Sequence, residues 1–267
     1  MKTMKQLLKY KNSWFFSLVT TLITLNLGTQ GGTRPLPFTK AVLLAQQINS
    51  SPNPTMSARE IIRNAYKNRY TWNPQFPGYT AAVEFKQGKE VYMGHARVTP
   101  GLNLTVTGIE NKEAFQAVKN TLGMIIVHHR QVPFEEEHKN SIFRLGSTDA
   151  TGAVNIFEQG DKTEAHYKIF HNQFMQVNRT LGDTAVTVDV LNSQETPQGY
   201  LATHYRTIFY QPQTKQAMGE EESEDTYKKI GNYYILSRRV NHEYEQGQNT
   251  TSEIDFTNIQ LLKNMSG

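Results

Sequence analysis

The sequence predicts an α+β protein that is mostly β, with one large curved antiparallel sheet or incomplete barrel of about 10–12 strands and two helices packed on its open side. Two observations predict this fold. Short runs of alternating apolar and polar residues recur between residues 79 and 261, separated by turn-forming residues. Only two segments have helical periodicity, which favours an antiparallel meander over βαβ units.

The first predicted helix begins after Ser57, which has the spacing of a capping box with Glu60. Its apolar face is predicted to contain Ile61, Ile62, Ala65 and Tyr66. The Asn73-Pro74 pair ends this region, because the residue before a proline avoids helical geometry. The second helix is predicted over residues 111–130, where apolar residues again recur at helical spacing.

The strands follow from period-2 alternation and from the Gly, Pro, Asn and Asp residues between them. They are predicted at residues 79–86, 90–99, 102–107, 141–145, 153–158, 165–170, 173–179, 184–191, 200–210, 221–230, 233–244 and 251–261. A concave sheet of this size needs cover, and the two helices are available to provide it. Its interior is then either a solid core or a cavity for an apolar ligand.

The N-terminal segment has the composition of an export leader. Residues 1–45 contain six Lys and Arg residues and no Asp or Glu, and residues 14–27 form an apolar stretch of 14 residues. That length fits a signal peptide, which needs ~7–15 apolar residues, better than a membrane span, which needs ~20. The alternative is an uncleaved anchor through residues 12–33.

The remaining chain is predicted to form a linker at 46–56, a single β-rich domain at 57–262 and a tail at 263–267. The net charge of +4 belongs to the leader, since the rest contains 22 basic residues against 24 acidic ones. A nucleic-acid partner is therefore not predicted. The chain has no Cys, which excludes disulfides, thiolate metal sites and lipidation at cysteine.

Two polar clusters in the sequence are candidate metal sites. Adjacent His128 and His129 lie about 100° apart on a helix and cannot face one metal ion, so a helix end with cationic side chains, followed by a solvated loop, is favoured. The acidic run 220–225 lacks a calcium-loop pattern and is interpreted as a charged strand that discourages edge pairing. We therefore predict no metal ligand, no catalytic residue and no cofactor.

Aromatic and apolar side chains on the predicted helices and strands are candidates for lining a ligand cavity, or for simple packing. The candidate ligand-binding residues are Tyr66, Trp72, Tyr79, Leu122, Ile126, Tyr205, Phe209 and Tyr234. Arg238 and Arg239 point to opposite faces of a strand, so one can look inward. An inward arginine holds a carboxylate or phosphate head group, or pairs with Glu243, Glu245 or Glu253.

The segments SAREIIRNAYKNRYTWNPQFPGYTAAVEF, GSTDATGAV, EDTYKKIGNYYILSRRV and TSEIDFTNIQLL resemble a cyanobacterial and chloroplast family known as a domain of unknown function. The resemblance covers residues 57–262. It implies a photosynthetic source, and thus the periplasm or thylakoid lumen as the destination. The order of elements is also similar to lipoprotein-carrier folds, in which a curved open sheet holds acyl chains.

Three functions remain open from the sequence. The first is a non-enzymatic, exported binding or carrier protein for a hydrophobic, lipid-like ligand. The second is an assembly or interaction factor for a photosynthetic or envelope membrane complex. The third is a hydrolase whose site is assembled in space.

Overall fold

A computed structural model describes residues 56–160, 164–245 and 247–263 of the chain. Its helices are α1 (Ala58–Lys67), α2 (Lys112–His129) and α3 (Phe134–Glu137). The strands are β1 (Tyr79–Gln87), β2 (Glu90–Val98), β3 (Leu104–Thr107), β4 (Ile142–Thr148), β5 (Val154–Gln159), β6 (Glu164–Phe170), β7 (Gln173–Leu181), β8 (Thr184–Thr196), β9 (Gly199–Tyr210), β10 (Ala217–Ile230), β11 (Tyr233–Glu245) and β12 (Gln248–Leu261). The predicted leader, nearly all of the linker and most of the tail lie outside the described residues.

All twelve strands belong to one sheet in the order β3-β2-β1-β12-β11-β10-β9-β8-β7-β6-β5-β4. Neighbouring strands are antiparallel, and the meander from β4 to β12 meets the first three strands where β12 pairs with β1. Strands β3 and β4 form the two edges, so the sheet is open and not a closed barrel. The predicted fold class is confirmed.

Helix α1 begins with the predicted capping box. The Ser57 hydroxyl accepts a hydrogen bond from the Glu60 amide, and the Glu60 carboxylate accepts one from the Ser57 amide at 2.8 Å. These two bonds satisfy amide groups that have no partner within the helix. The buried face of α1 consists of Ala58, Ile62, Ala65 and Tyr66.

The two long helices cover opposite ends of the same face of the sheet. Helix α2 buries Val118, Leu122 and Ile125 against β1, β2, β11 and β12, in a core that includes Val83 and Phe256. Helix α1 and the short α3 cover the other end. Their core consists of Ala58, Ile62, Ala65, Tyr66, Phe134, Ile156, Ala165, Tyr167 and Ile169.

The structure corrects the interpretation of the region after α2. Residues 134–137 form α3 instead of a solvated loop, and Phe134 packs in the α1 core. Arg59 and Arg63 of α1 bind Glu135, which fixes α3 on α1. The end of α2 at His129 agrees with the predicted helix, but burial among aromatic rings lowers the pKa of His129 to about 3, so this side chain is not cationic at neutral pH.

The acidic run 220–225 was also misinterpreted. It lies on β10, which pairs with β9 and β11 in the middle of the sheet, so it protects no edge.

Within the described ranges, no group of three or more His, Asp and Glu side chains is arranged to hold a metal ion. None of the helices in these ranges has the length and apolar character needed to cross a bilayer.

Candidate functional site

The inner face of the sheet can be followed from strand to strand by its pairing. Tyr167 of β6 is buried beneath α1 and lies opposite Val177 of β7, which lies opposite Val188 of β8. Paired residues share a face of a sheet, so Val188 belongs to the helix-covered side. At the other end, Arg239 of β11 lies opposite Ile254 of β12, which is buried in the α2 core. Both helices therefore lie on this inner face.

Between the two cores, none of the helices in the described residues packs against the inner face. Val188, Val190, Tyr205 and Phe209 lie on β8 and β9 and are only half-buried. In the packed ends, side chains of the same kind are almost completely buried. The middle of the inner face therefore has an accessible surface with apolar and aromatic side chains.

We call this open middle of the inner face, between the α1 core and the α2 core, the hollow. The charges of Arg179 on β7 and Arg239 on β11 both act on the imidazole of His128 at the end of α2. Desolvation lowers the pKa of His128 to about 4, with Arg69, Arg179 and Arg239 contributing, although the side chain is exposed. His128 therefore borders the hollow.

A buried ion pair lies on one wall of this hollow. Arg239 binds both oxygens of Asp225, with distances of 2.7 Å from Nε and 2.6 Å from Nη2. Its Nη2 also donates to the hydroxyl of Tyr205 at 2.5 Å, and Tyr227 donates to Asp225. Arg239 is the inward arginine that the sequence predicted, but its partner is Asp225 and not one of the three predicted glutamates. Arg238 points outward and binds Glu253, a glutamate that was predicted as a partner of the inward arginine.

A second polar group lies in the α1 core, with Glu158 at its centre. Glu158 accepts hydrogen bonds from His138 at 2.7 Å, Ser141 at 2.5 Å and Tyr167 at 2.5 Å. Burial raises the pKa of Glu158, but these hydrogen bonds outweigh burial and lower it to about 2. Arg179 donates to the Tyr167 hydroxyl at 2.9 Å, and its buried Nε has no hydrogen-bond partner in the described part of the chain.

Ser141, His138 and Glu158 have the residue types of a hydrolase triad but not its geometry. In a triad the histidine lies between the carboxylate and the nucleophile and accepts the proton of the nucleophile. Here the carboxylate is central, and the Ser141 hydroxyl donates to Glu158. The arrangement holds a buried carboxylate and leaves no base to activate the serine.

Arg69 is fixed at the mouth of the hollow by the chain that follows α1. Asn68 and Tyr70, on either side of it, exchange backbone hydrogen bonds of 2.9 Å with Tyr200 of β9. Gly199 permits this close approach, because it has a φ of +122° and a Cβ there would lie 2.3 Å from the Asn68 carbonyl oxygen. The Arg69 guanidinium stacks on the ring of Tyr66 at 3.9 Å.

The end of α2 is held by a similar contact. The amide of Trp72 donates to the carbonyl of His129 at 2.7 Å, and the Trp72 indole donates to the carbonyl of Tyr234. The segment between α1 and β1 therefore ties α2 to β11. This places His128 over the inner face.

The eight predicted ligand-binding residues occupy three different environments. Tyr66, Trp72, Tyr79 and Leu122 are buried in the two cores, and burial raises the pKa of Tyr66 to about 12. Ile126 and Tyr234 are half-buried against the α2 core. Tyr205 and Phe209 lie on the open middle of the inner face. Ligand contact by any of the eight stays a prediction.

Sequence reasoning did not select Arg69, Arg179, Asp225 or Glu158 as site residues. Arg179 could have been found from the alternation of β7, because residues two apart on a strand share a face and Val177 lies on the inner one. The position of Arg69 had no such signal, because it depends on backbone pairing between residues far apart in sequence.

A shallow groove of about 530 Å³ lies on the outer face of strands β4–β9. Phe157, His166, Asn178 and Thr187 form one row across it, and the Phe157 ring stacks on His166. Asn155 and Asn178 satisfy the nitrogens of His166, and Thr187 donates to Asn178. These four side chains contact one another, and the charged residues Arg144, Glu164, Arg179 and Lys215 also line the groove.

Comparison with known proteins decides the family. A family model described as protein of unknown function (DUF3386) matches residues 53–262. The chain belongs to the DUF3386 family. This agrees with the family of unknown function that the sequence motifs resemble.

No curated protein matches the chain. A solved structure of MucB in complex with MucA(peri) matches with a TM-score of 0.20 and 8% identity, covering 76% of this chain and 94% of that chain. A likeness this weak supports no inference about function or partner.

Proposed function

We propose that this DUF3386 protein is a non-enzymatic binding or carrier protein for a hydrophobic, lipid-like ligand that lies in the hollow between the two helix-covered cores. The observation that carries the proposal is the half-buried row Val188, Val190, Tyr205 and Phe209. Apolar side chains on a concave sheet are normally covered, and the helices of the described residues cover its two ends. A ligand in the middle would complete the burial of this face.

The leader supports an extracytoplasmic site of action. Its positive residues precede an apolar stretch of signal-peptide length, and the rest of the chain has no Cys. We propose the periplasm or a thylakoid lumen as the compartment. Carriage of a poorly soluble molecule is needed in such a compartment, where a ligand must cross water between membranes.

Native mass spectrometry and solvent extraction of the full chain test this proposal. We expect the purified protein to carry a lipid-like molecule. Phe209→Asn should lower the retained ligand roughly tenfold through one lost apolar contact. Ile208→Asn is the matched control, because Ile208 is the adjacent residue on β9 and points to the outer face. A chain that purifies empty and takes up no lipid from vesicles would contradict the proposal.

An interaction role in a membrane complex is the second candidate, and one observation favours it. Edge strand β4 exposes Ile142 at 64% and Leu145 at 50%, and neighbouring β5 exposes Phe157 at 45%. An apolar edge strand can pair with a strand of another protein. Crosslinking in the native membrane fraction would give one discrete partner for this function, and Leu145→Lys should abolish that crosslink.

A further inference from the structure

The hollow contains three arginines, and they differ in what binds them. Asp225 occupies Nε and Nη2 of Arg239, and Tyr205 also binds Nη2. An arginine held in this way has few donors left for a ligand. Arg239 therefore belongs to the wall of the hollow, and the question of ligand recognition concerns Arg69 and Arg179.

The binding partner of Arg69 is a tyrosine and not a carboxylate. Its Nε donates to the carbonyl of Tyr66 at 3.1 Å, and its guanidinium lies on the Tyr66 ring. The Tyr66 side chain is a hydrogen-bond partner of the Arg69 side chain as well, and Arg69 forms no ion pair with any residue that the structure describes. Stacking on Tyr66 and the pairing of its backbone with Tyr200 hold the group in place before any ligand arrives. A pre-organised guanidinium loses little freedom when it binds.

Arg179 is also incompletely satisfied. It donates one hydrogen bond to the neutral hydroxyl of Tyr167, and its buried Nε has no partner in the described chain. Glu158 and Glu137 act on the charge of Arg179 without pairing with it; Glu158 accepts three hydrogen bonds from other side chains, and Glu137 accepts one from Tyr66. No carboxylate among the described residues forms an ion pair with Arg69 or Arg179. An unpaired buried donor is unfavourable and favours a charged acceptor from outside.

Both arginines lie at the α1 core. Arg69 stacks on Tyr66, Arg179 donates to Tyr167, and both tyrosines pack in that core. The charges of both arginines also act on the ring of His128. No hydrogen bond to another described side chain occupies this imidazole, so it adds a neutral donor beside two cations. Two guanidinium groups and an imidazole around one space are donors that match a carboxylate or a phosphate ester.

We propose that the ligand has an anionic head group, a carboxylate or phosphate ester, which Arg69 and Arg179 bind beside His128 while its apolar part lies on β8 and β9. This inference rests on the proposed binding function. It defines the ligand class as an anionic amphiphile, such as a fatty acid or a phospholipid. It also orients the ligand, with the head towards α2 and the tail towards Val188 and Phe209.

Titration of the full chain with ligands that differ only in the head group tests the inference. The probes are palmitate, hexadecyl phosphate and the neutral hexadecanol, and binding is measured by competition with a fluorescent fatty acid. We expect the two anions to bind roughly tenfold or more tightly than the alcohol, as charge-assisted hydrogen bonds to arginine do. Equal affinity for all three overturns the head-group inference and leaves the proposed function standing. Binding of none of them overturns the proposed function itself.

Variants of Arg69 and Arg179 test whether these two residues bind the head group. Arg69→Gln and Arg179→Gln should each remove most of the preference for an anion and leave the affinity for hexadecanol within about twofold. Arg69→Lys should retain part of the preference, because charge remains but the fork geometry is lost. Arg238→Gln is the matched control, since Arg238 pairs with Glu253 on the outer face. A preference that survives both glutamine variants overturns the assignment.

Two further measurements separate this site from simple alternatives. The NMR titration of His128 should show its pKa rising when palmitate is bound, because an anion beside the ring favours the protonated form. A pKa of His128 that stays unchanged on saturation contradicts the placement of the head group.

Inorganic phosphate at the same concentrations should bind weakly. Tight binding of phosphate would keep the anion site but overturn a lipid-like ligand.

Discussion

The covered ends and the open middle of the inner face use the same sheet in different ways. At the ends, α1 and α2 bury apolar side chains such as Ile62 and Leu122 to 1% exposure or less. In the middle, the face contains a buried ion pair and half-buried apolar residues. Apolar burial therefore holds the ends, while a polar pair holds the middle and leaves part of its apolar surface accessible.

The largest expected effect comes from breaking the buried ion pair between Arg239 and Asp225. Its loss measures how much this pair stabilises the middle of the inner face. Asp225→Asn leaves Arg239 buried without a counter-charge and should lower the free energy of unfolding by about 3–5 kcal/mol. Urea denaturation measures this. Glu253→Gln breaks the exposed pair with Arg238 and should cost less than about 1 kcal/mol. If both variants lose the same free energy of unfolding, burial does not make the Arg239–Asp225 pair more important for stability than the exposed Arg238–Glu253 pair.

A direct comparison of end and middle comes from truncating one apolar side chain in each. Leu122→Ala removes a completely buried side chain of α2 and should destabilise the protein by about 2–5 kcal/mol. Val188→Ala, on the open middle, should cost at most about 1 kcal/mol in the ligand-free protein. If Val188→Ala costs as much as Leu122→Ala, the middle is packed and the hollow is not a cavity.

Glu158 should give the covered α1 end a distinct acid sensitivity. Its pKa falls from 4.5 to about 2 in the folded state, so its stabilising contribution is complete above the unfolded pKa and is lost as the pH falls from about 5 to 2. The loss should be on the order of 2–3 kcal/mol. Urea denaturation at several pH values should show a flatter curve for Glu158→Gln over this window. Identical curves for the two proteins would contradict the lowered pKa.

Strand alternation predicted every strand of the sheet, because an antiparallel meander is encoded locally. Strand β8 was predicted to end at residue 191 but continues to Thr196. Its last residues, from Asn192 onward, are polar and carry no alternation, so only pairing with β9 reveals them. Helix α3 was missed for a related reason: four residues are too few to show a helical period.

The site was less predictable because its residues meet only through curvature and register. The sequence predicted that at most one of Arg238 and Arg239 looks inward, without saying which. Residues 220–225 of β10 contain five acidic side chains, and a bulge at Thr226 and Tyr227 shifts the register beside them. The carboxylate that faces Arg239 is therefore not fixed by spacing alone. Arg69, His128 and Arg179 lie on three separate elements, and nothing local brings them together.

The smallest expected effect concerns the start of α1, and it tests whether a covered end can be weakened without changing the middle. Ser57→Ala removes the hydroxyl that accepts the Glu60 amide and should lower the free energy of unfolding by about 1 kcal/mol. Ser57→Asp keeps an acceptor at the cap and should restore most of that loss. Urea denaturation gives both values. Ligand retention should stay at the wild-type level in both variants, because the cap of α1 does not face the hollow. A ligand lost in proportion to stability would mean that end and middle form one cooperative unit, and the division drawn here would then be wrong.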